Sequence, residues 1–221
     1  MGNLYKNRRD AGEKLAEALS AYQGRDDLTI LALPRGGVPV GYEVAMKLHA
    51  PLDVFVVRKL GVPNREEFAM GAIASHEVQV LNDDVVSMLR IPPQVINEVA
   101  GRERKELERR EQAYRGDRPP HEIEGRVVIL VDDGLATGAT MRAAVTAVKA
   151  QNPIKTVMAV PTAAPETCES FREMVDDLIC LNTPHPYYAV GAWYEDFSQT
   201  SDEEVRELLE DAEVQLSGQT L

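Results

Sequence analysis

At 221 residues with 44% hydrophobic content, the chain is long enough to bury one good core and too short for two full domains. A formal charge of −12 opposes general binding to nucleic acid, whose phosphate backbone demands a positive surface, and no apolar run is long enough to cross a bilayer. Residues 1–10 are charged and lack the apolar stretch of a signal peptide, so the expectation is a cytoplasmic protein with neither nucleic acid nor membrane as partner.

An opening helix near residues 8–22 leads into alternating strands and helices. The run Leu28-Thr-Ile-Leu-Ala-Leu33 reads as a buried strand, followed by Pro34-Arg35-Gly36-Gly37 and a helix over 38–48. Two adjacent glycines can turn several backbone N–H groups inward, and the Arg35 guanidinium supplies paired donors, a combination suited to a diphosphate. A strand over 52–57 ends in the cations Arg58 and Lys59, which can meet a departing anion, and a polar stretch over 61–68 comes next. Residues 82–120 read as two helices, one around 83–89 and a longer one opening at Pro92-Pro93. They form an inserted cap or hood of 82–120 between core segments 1–81 and 121–221. The mixed charges of 102–118 contain intrahelical pairs such as Glu106 with Arg109 or Arg110, which makes them a solvated helix face.

The most informative stretch runs from Arg126 to Thr140. An unbroken apolar run from Val127 to Val131 predicts a strand buried on both faces, and it stops at two carboxylates, Asp132 and Asp133. A loop containing Gly134, Ala136, Thr137, Gly138, Ala139 and Thr140 then enters a helix over 139–150. The first turn of a helix leaves backbone N–H groups unpaired and carries partial positive charge, so a phosphate placed there meets oriented donors. Small side chains let it approach, and the Thr137 and Thr140 hydroxyls add donors. The aspartates would repel a phosphate; they suit sugar hydroxyls or a hydrated Mg²⁺. Phosphate, polyol and metal together point to a sugar phosphate.

Strands near 155–160 and 178–181 flank a helix near 166–174, and continuous apolar runs alternating with helices predict a parallel sheet covered on both faces. The ligand then belongs at the carboxyl ends of the strands. Residues 187–197 are rich in aromatics, and the tail from Ser201 reads as a capped amphipathic helix with Val205, Leu208 and Leu209 facing inward. Cys168 and Cys180 form no close metal-type pair and read as reduced thiols, and His49, His76, His121 and His185 do not cluster. No protein metal site built from nitrogen and sulfur is expected.

The run 126–140 resembles the type I phosphoribosyltransferases, whose signature is a hydrophobic strand, two acidic residues and a small-residue loop ending in Thr-Gly-x-Thr. No lysine follows Gly138 and no Gly-x-Gly-x-x-Gly occurs, so neither common nucleotide motif competes. The likeness continues through Ala32-Leu-Pro-Arg-Gly-Gly-Val-Pro-Val40, Val56-Val-Arg-Lys-Leu-Gly-Val-Pro63 and Val190-Gly-Ala-Trp-Tyr-Glu-Asp-Phe197. Across nearly the full length it is similar to a bacterial and archaeal set of predicted phosphoribosyltransferases with no assigned substrate.

The resemblance implies an α/β type I phosphoribosyltransferase fold with a small helical hood, using Mg²⁺ and releasing diphosphate from phosphoribosyl diphosphate as a nitrogen nucleophile attacks. It implies that Ala136, Thr137, Gly138, Ala139 and Thr140 hold the 5-phosphate. Asp132 and Asp133 would hold the ribose and serve the metal directly or through water. Arg35, Gly36, Gly37, Arg58 and Lys59 would serve the diphosphate, and a cis peptide would fall at Pro34–Arg35 or Arg35–Gly36. Residues 61–68 resemble a mobile flap that excludes water, and Trp193 and Tyr194 are candidates to stack on a base. Members acting on 6-oxopurines usually carry an aspartate where this chain has Ala136, and a methyl group cannot exchange a proton with a purine. The acceptor therefore stays open, as do a homo-oligomer and the alternative of a sensor that binds the donor without transferring it.

Overall fold

The computed structural model describes residues 4–63, 65–76 and 78–218. In chain order its elements are α1 (Arg8–Ala18), β1 (Leu28–Ala32), α2 (Gly37–Leu48), β2 (Leu52–Val54), β3 (Val57–Val62), β4 (Arg65–Ala74) and β5 (Val78–Leu81). There follow α3 (Asp83–Met88), α4 (Pro93–Arg115), β6 (Val127–Val131), α5 (Ala139–Lys149), β7 (Lys155–Thr162), α6 (Pro165–Glu169), β8 (Asp177–Asn182) and α7 (Asp202–Ser217). Five strands form a parallel sheet in the order β2-β1-β6-β7-β8, and β3-β4-β5 form a separate antiparallel sheet.

The period-two alternation of a strand explains how one sheet serves two cores. Leu28, Ile30, Ala32, Val127, Ile129 and Val131 point to a layer built with α1, α2, α4 and α7. Their neighbours Leu31, Val128 and Leu130 point the other way, into a layer with Met141, Val145 and Val148 of α5 and with Phe171. Every residue of β1 and β6 is buried, which is why both read as continuous apolar runs. The helices lie on both faces, as the alternation predicted. From β1 the chain moves outward to β2, then returns to place β6 on the opposite side of β1. The order of strands thus reverses between β1 and β6, and in open α/β sheets the crevice outside the carboxyl ends at such a reversal is where ligands bind.

Several expected boundaries differ. The strand expected over 52–57 is interrupted: β2 pairs with β1 only through residues 52–54. Phe55 still bonds its amide to the Ala32 carbonyl, but Val56 is captured by Ser75 and the chain leaves for the antiparallel sheet. Much of the stretch 61–68 belongs to the β3–β4 hairpin, with irregular register at Leu60, Gly61 and Val62, and Asn64 lies outside the described residues. The sequence did not point to β4 or β5; β5 alternates between half-buried and exposed positions and offers no continuous apolar run. The helix expected over 166–174 is cut to five residues and continues as turns. The reading of Cys168 and Cys180 as reduced thiols is corrected, since the two are bonded to each other across α6 and β8. The folding back of β8 onto β7 brings them together, a contact invisible in their 12-residue separation.

Tertiary contacts rather than local propensity hold the long helix α4 in place. Ile96, Val99, Ala100, Leu107 and Tyr114 are buried in the same apolar layer as β1, while the opposite face carries solvated ion pairs such as Glu106 with Arg109 and Arg110. At its end Arg115 reaches under the sheet: its Nε donates to Asp53 Oδ1 at 3.0 Å, with the two side chains only 8% and 5% exposed. Asp53 also accepts from the His121 amide at 3.1 Å. Removing one member of such a pair strands a buried charge, a loss of about 3–5 kcal/mol. Arg115→Ala is therefore expected to lower the unfolding free energy in urea by about 3 kcal/mol. An unchanged urea midpoint would show that this pair does not fasten α4 to β2.

Candidate active site

Three segments converge where β1 and β6 end. The turn 33–37 leaves β1 and enters α2, and its peptide Pro34–Arg35 is cis, one of the two positions implied by the resemblance. Beside it, Asp132 and Asp133 follow β6. The approach is so close that a Cβ built on Gly36 would lie 2.0 Å from Asp133 Oδ2, and one on Gly37 would lie 2.8 Å from the Val131 carbonyl. Glycine is required here by space. The candidates Gly36, Gly37, Asp132 and Asp133 therefore share one wall of the crevice.

The loop 134–140 supplies the next wall. Leu135 bonds its amide to the Thr162 carbonyl, and Ala164 returns one to Leu135, which ties the loop to the end of β7. Gly138 sits at φ +70°, a conformation side chains rarely tolerate, and a Cβ there would meet the Phe171 ring at 2.8 Å. It is the residue before the first turn of α5, and no side chain caps that helix. The first helical bond is Arg142 to the Gly138 carbonyl, and among the described residues none is recorded for the amides of residues 136–141. Ala136, Thr137, Ala139 and Thr140 are exposed, while Gly138 and Met141 are buried, so the accessible surface of the loop is made of small and hydroxyl-bearing residues.

The electrostatics are set by two recessed carboxylates side by side. Burial pushes Asp132 well above the ordinary carboxylate range, with the neighbouring Asp133 charge adding to it. Asp133 is raised by burial too, while a hydrogen bond from Arg8 pulls it back. Arg8 Nε stands 2.8 Å from Asp133 Oδ2, its Nη1 donates to the Ser198 carbonyl at 2.6 Å, and its guanidinium lies 3.8 Å over the Phe197 ring. Arg8 is a site residue that sequence reasoning missed. It opens α1 from the Asn7 cap amid other polar residues, and nothing local marks it as reaching a strand end 125 positions away. Thr167 and Phe171, which support the loop from behind, were missed for the same reason.

The remaining candidates lie further out or deeper in. Arg35 Nη1 stands 3.3 Å from Asp202 Oδ1 at the start of α7. Arg58 donates to Glu103 of α4 through Nε at 2.9 Å and Nη2 at 2.6 Å. With Lys59, Val99 and Arg102 it lines a cleft of about 380 Å³ between β3 and α4. Trp193 and Tyr194 are buried, packed with Tyr5 and Tyr187. The Tyr194 hydroxyl donates to the Asp133 carbonyl at 2.5 Å, so this ring sits behind the acidic pair. The nearby Tyr188 is 82% exposed.

Comparisons with known proteins show the family. A family model for the phosphoribosyl transferase domain matches residues 1–192. The chain belongs to the phosphoribosyl transferase family. It is 44% identical over 209 residues to the Mycobacterium tuberculosis proteins Rv0571c and MT0597, which are provisionally named phosphoribosyl transferases. That match covers 95% of this chain and 47% of theirs, so the chain spans about half the length of these curated relatives. The crystal structure of TT1426 from Thermus thermophilus is similar throughout, with a TM-score of 0.83 and 41% identity over 94% of this chain and 98% of that one.

A raised Asp132 carries a stability consequence. Its folded-state affinity for a proton exceeds that of the unfolded chain, so the native state is favoured at low pH and loses that advantage as pH rises through the raised value. At pH 7, where the unfolded chain carries this carboxylate charged, its burial is a net cost to the native state. Asp132→Asn is expected to melt higher than the natural protein at pH 7, with the difference vanishing towards pH 4, as followed by calorimetric melting curves at both pH values. Equal melting temperatures at pH 7 would contradict the assigned environment.

Proposed function

We propose that the chain is a Mg²⁺-dependent phosphoribosyltransferase that transfers the 5-phosphoribosyl group from phosphoribosyl diphosphate to a nitrogen nucleophile, a nucleobase-like acceptor, and releases diphosphate. The observation that carries this reading is the meeting, at the carboxyl ends of β1 and β6, of a loop with unbonded amides, two recessed carboxylates and the glycine turn after Arg35.

In this reading the amides and hydroxyls of Ala136, Thr137, Gly138, Ala139 and Thr140 hold the 5-phosphate. Asp132 and Asp133 accept from the ribose hydroxyls, and their charge offsets the cation that develops at the anomeric carbon. Arg35, with Gly36 and Gly37, receives the departing diphosphate, and Arg58 and Lys59 approach from the hood side. Arg35 must exchange Asp202, and Arg58 must exchange Glu103, for the ligand. Residues 82–120 act as the hood, and the β3–β4 hairpin acts as the flap that keeps water from the reacting carbon. Base stacking by Trp193 or Tyr194 would require these buried rings to be uncovered.

The donor set fits a hard divalent cation. Carboxylate oxygens suit Mg²⁺, and no group of three or more His, Cys, Asp or Glu side chains among the described residues is arranged to hold a metal. Asp132 and Asp133 would therefore hold the ion only in part, with substrate oxygens completing its shell. When bound, the ion neutralises charge on the diphosphate.

A second reading, a sensor that binds the donor without transfer, is favoured by one feature: Ala136 offers a methyl group where 6-oxopurine enzymes present a proton-exchanging aspartate. Purified protein incubated with labelled phosphoribosyl diphosphate, Mg²⁺ and a panel of bases is expected to release diphosphate. Asp133→Asn should slow that release at least tenfold if the carboxylate supplies ~1.4 kcal/mol in the transition state. Tight calorimetric binding with no turnover on any base would select the sensor, and full activity in the variant would remove Asp133 from the mechanism.

A further inference from the structure

The segment that supports the 134–140 loop is fastened to the sheet by a bond that reduction can open. Thr167 donates its hydroxyl to the Ala136 carbonyl at 2.6 Å. The Thr167 methyl and the Phe171 ring are the surfaces against which Gly138 packs, within 2.9 Å of a Cβ placed there. Arg142 of α5 donates to Ser170 Oγ at 2.9 Å and lies 4.8 Å over the Phe171 ring. All of this support comes from residues 167–171. It begins on α6, a helix of five residues that has no stability of its own at that length.

Besides these polar contacts, two stronger attachments hold the segment down. Phe171 is fully buried, and Cys168 is bonded to Cys180 on β8. These are the only cysteines of the chain. β8 is an edge strand of the sheet and both cysteines are half-buried, so a small dithiol can reach the bond.

We propose that Cys168–Cys180 is a redox latch on the loop 134–140: closed, it holds Thr167 against the Ala136 carbonyl and keeps the loop shaped for an anion; reduced, it lets the loop loosen. The proposal rests on the reading of that loop as the 5-phosphate site. The exchange balances with an external dithiol. One thiolate attacks a sulfur of the pair, the second resolves the mixed disulfide, and the chain gains two protons and two electrons as two thiols while the dithiol leaves as its own disulfide. Phe171 stays buried throughout, so the loop loses part of its restraint and does not unfold. Affinity then falls by the fraction of time the binding shape is lost, a loss of severalfold and not of the whole site.

The test compares oxidised protein, protein reduced with dithiothreitol and the Cys168→Ser/Cys180→Ser variant. Amide hydrogen exchange across residues 134–142 reads the latch, and calorimetry with phosphoribosyl diphosphate and Mg²⁺ reads the site. Reduction is expected to speed exchange there by about fivefold and to weaken donor binding by a similar factor. The variant should match the reduced form and ignore dithiothreitol, which separates the latch from any general effect of the reagent. Equal exchange in both states, equal donor affinity in both states, or two thiols that cannot be oxidised to a bond would each overturn the proposal. Faster exchange on reduction without donor binding in either state would uphold the latch and sink the reading of the loop as a phosphoribosyl diphosphate site.

Discussion

The structure depends on one close approach: the glycine turn after β1 lies directly against the carboxylates after β6. It follows from parallel pairing in register, with Ala32 opposite Val131, so that both strands stop at the same height and their loops must share the space beyond. A side chain at position 36 would occupy the place of Asp133 Oδ2. Two carboxylates held in a recess would repel one another, and Arg8, brought from the first helix, compensates the nearer one. The raised affinity of Asp132 for a proton comes first from its burial and then from that repulsion, and groups perturbed in this way cluster at functional sites.

Donors and acceptors are sorted around the crevice by the ends of secondary structure. Amides of residues 136–141 are spared because a helix start leaves them so, and their loop is pinned on both sides without using them: to β7 through Leu135 and Ala164, to α6 through the Ala136 carbonyl. The cations at the margin are held by acids from elements outside the central sheet, Arg35 by α7 and Arg58 by α4. These partly exposed pairs are individually weak, so an incoming polyanion can displace them. An anion site of the kind proposed is in this way compatible with a net charge of −12.

Where the candidate site is built from consecutive residues, the sequence displayed its parts. The strand 127–131, the aspartates, the small-residue loop and the helix after it were all legible because one apolar run, one charge pair and one glycine pattern follow each other directly. The same holds for 28–37 and for the Ser201 cap of α7, whose side chain accepts from the Glu204 amide. What depends on tertiary placement was not legible. Arg8 and Thr167 touch the site from distant segments, the Cys168–Cys180 bond needs β8 laid beside β7, and the break at Phe55 reflects capture by Ser75 across a different sheet. The aromatic stretch shows the same limit. Ring content suggested stacking on a base, while packing buried both Trp193 and Tyr194 and set Tyr194 behind the acidic pair.

In the proposed function the amides following residue 135 receive a phosphate monoester while Asp132 and Asp133 receive the pentose. A crystal structure of the protein with phosphoribosyl diphosphate and Mg²⁺ tests it most directly. The account predicts the 5-phosphate within hydrogen-bond distance of the backbone of residues 136–140 and a ribose hydroxyl on the acidic pair. Donor bound elsewhere, or a crevice left empty at saturating concentration, would contradict it.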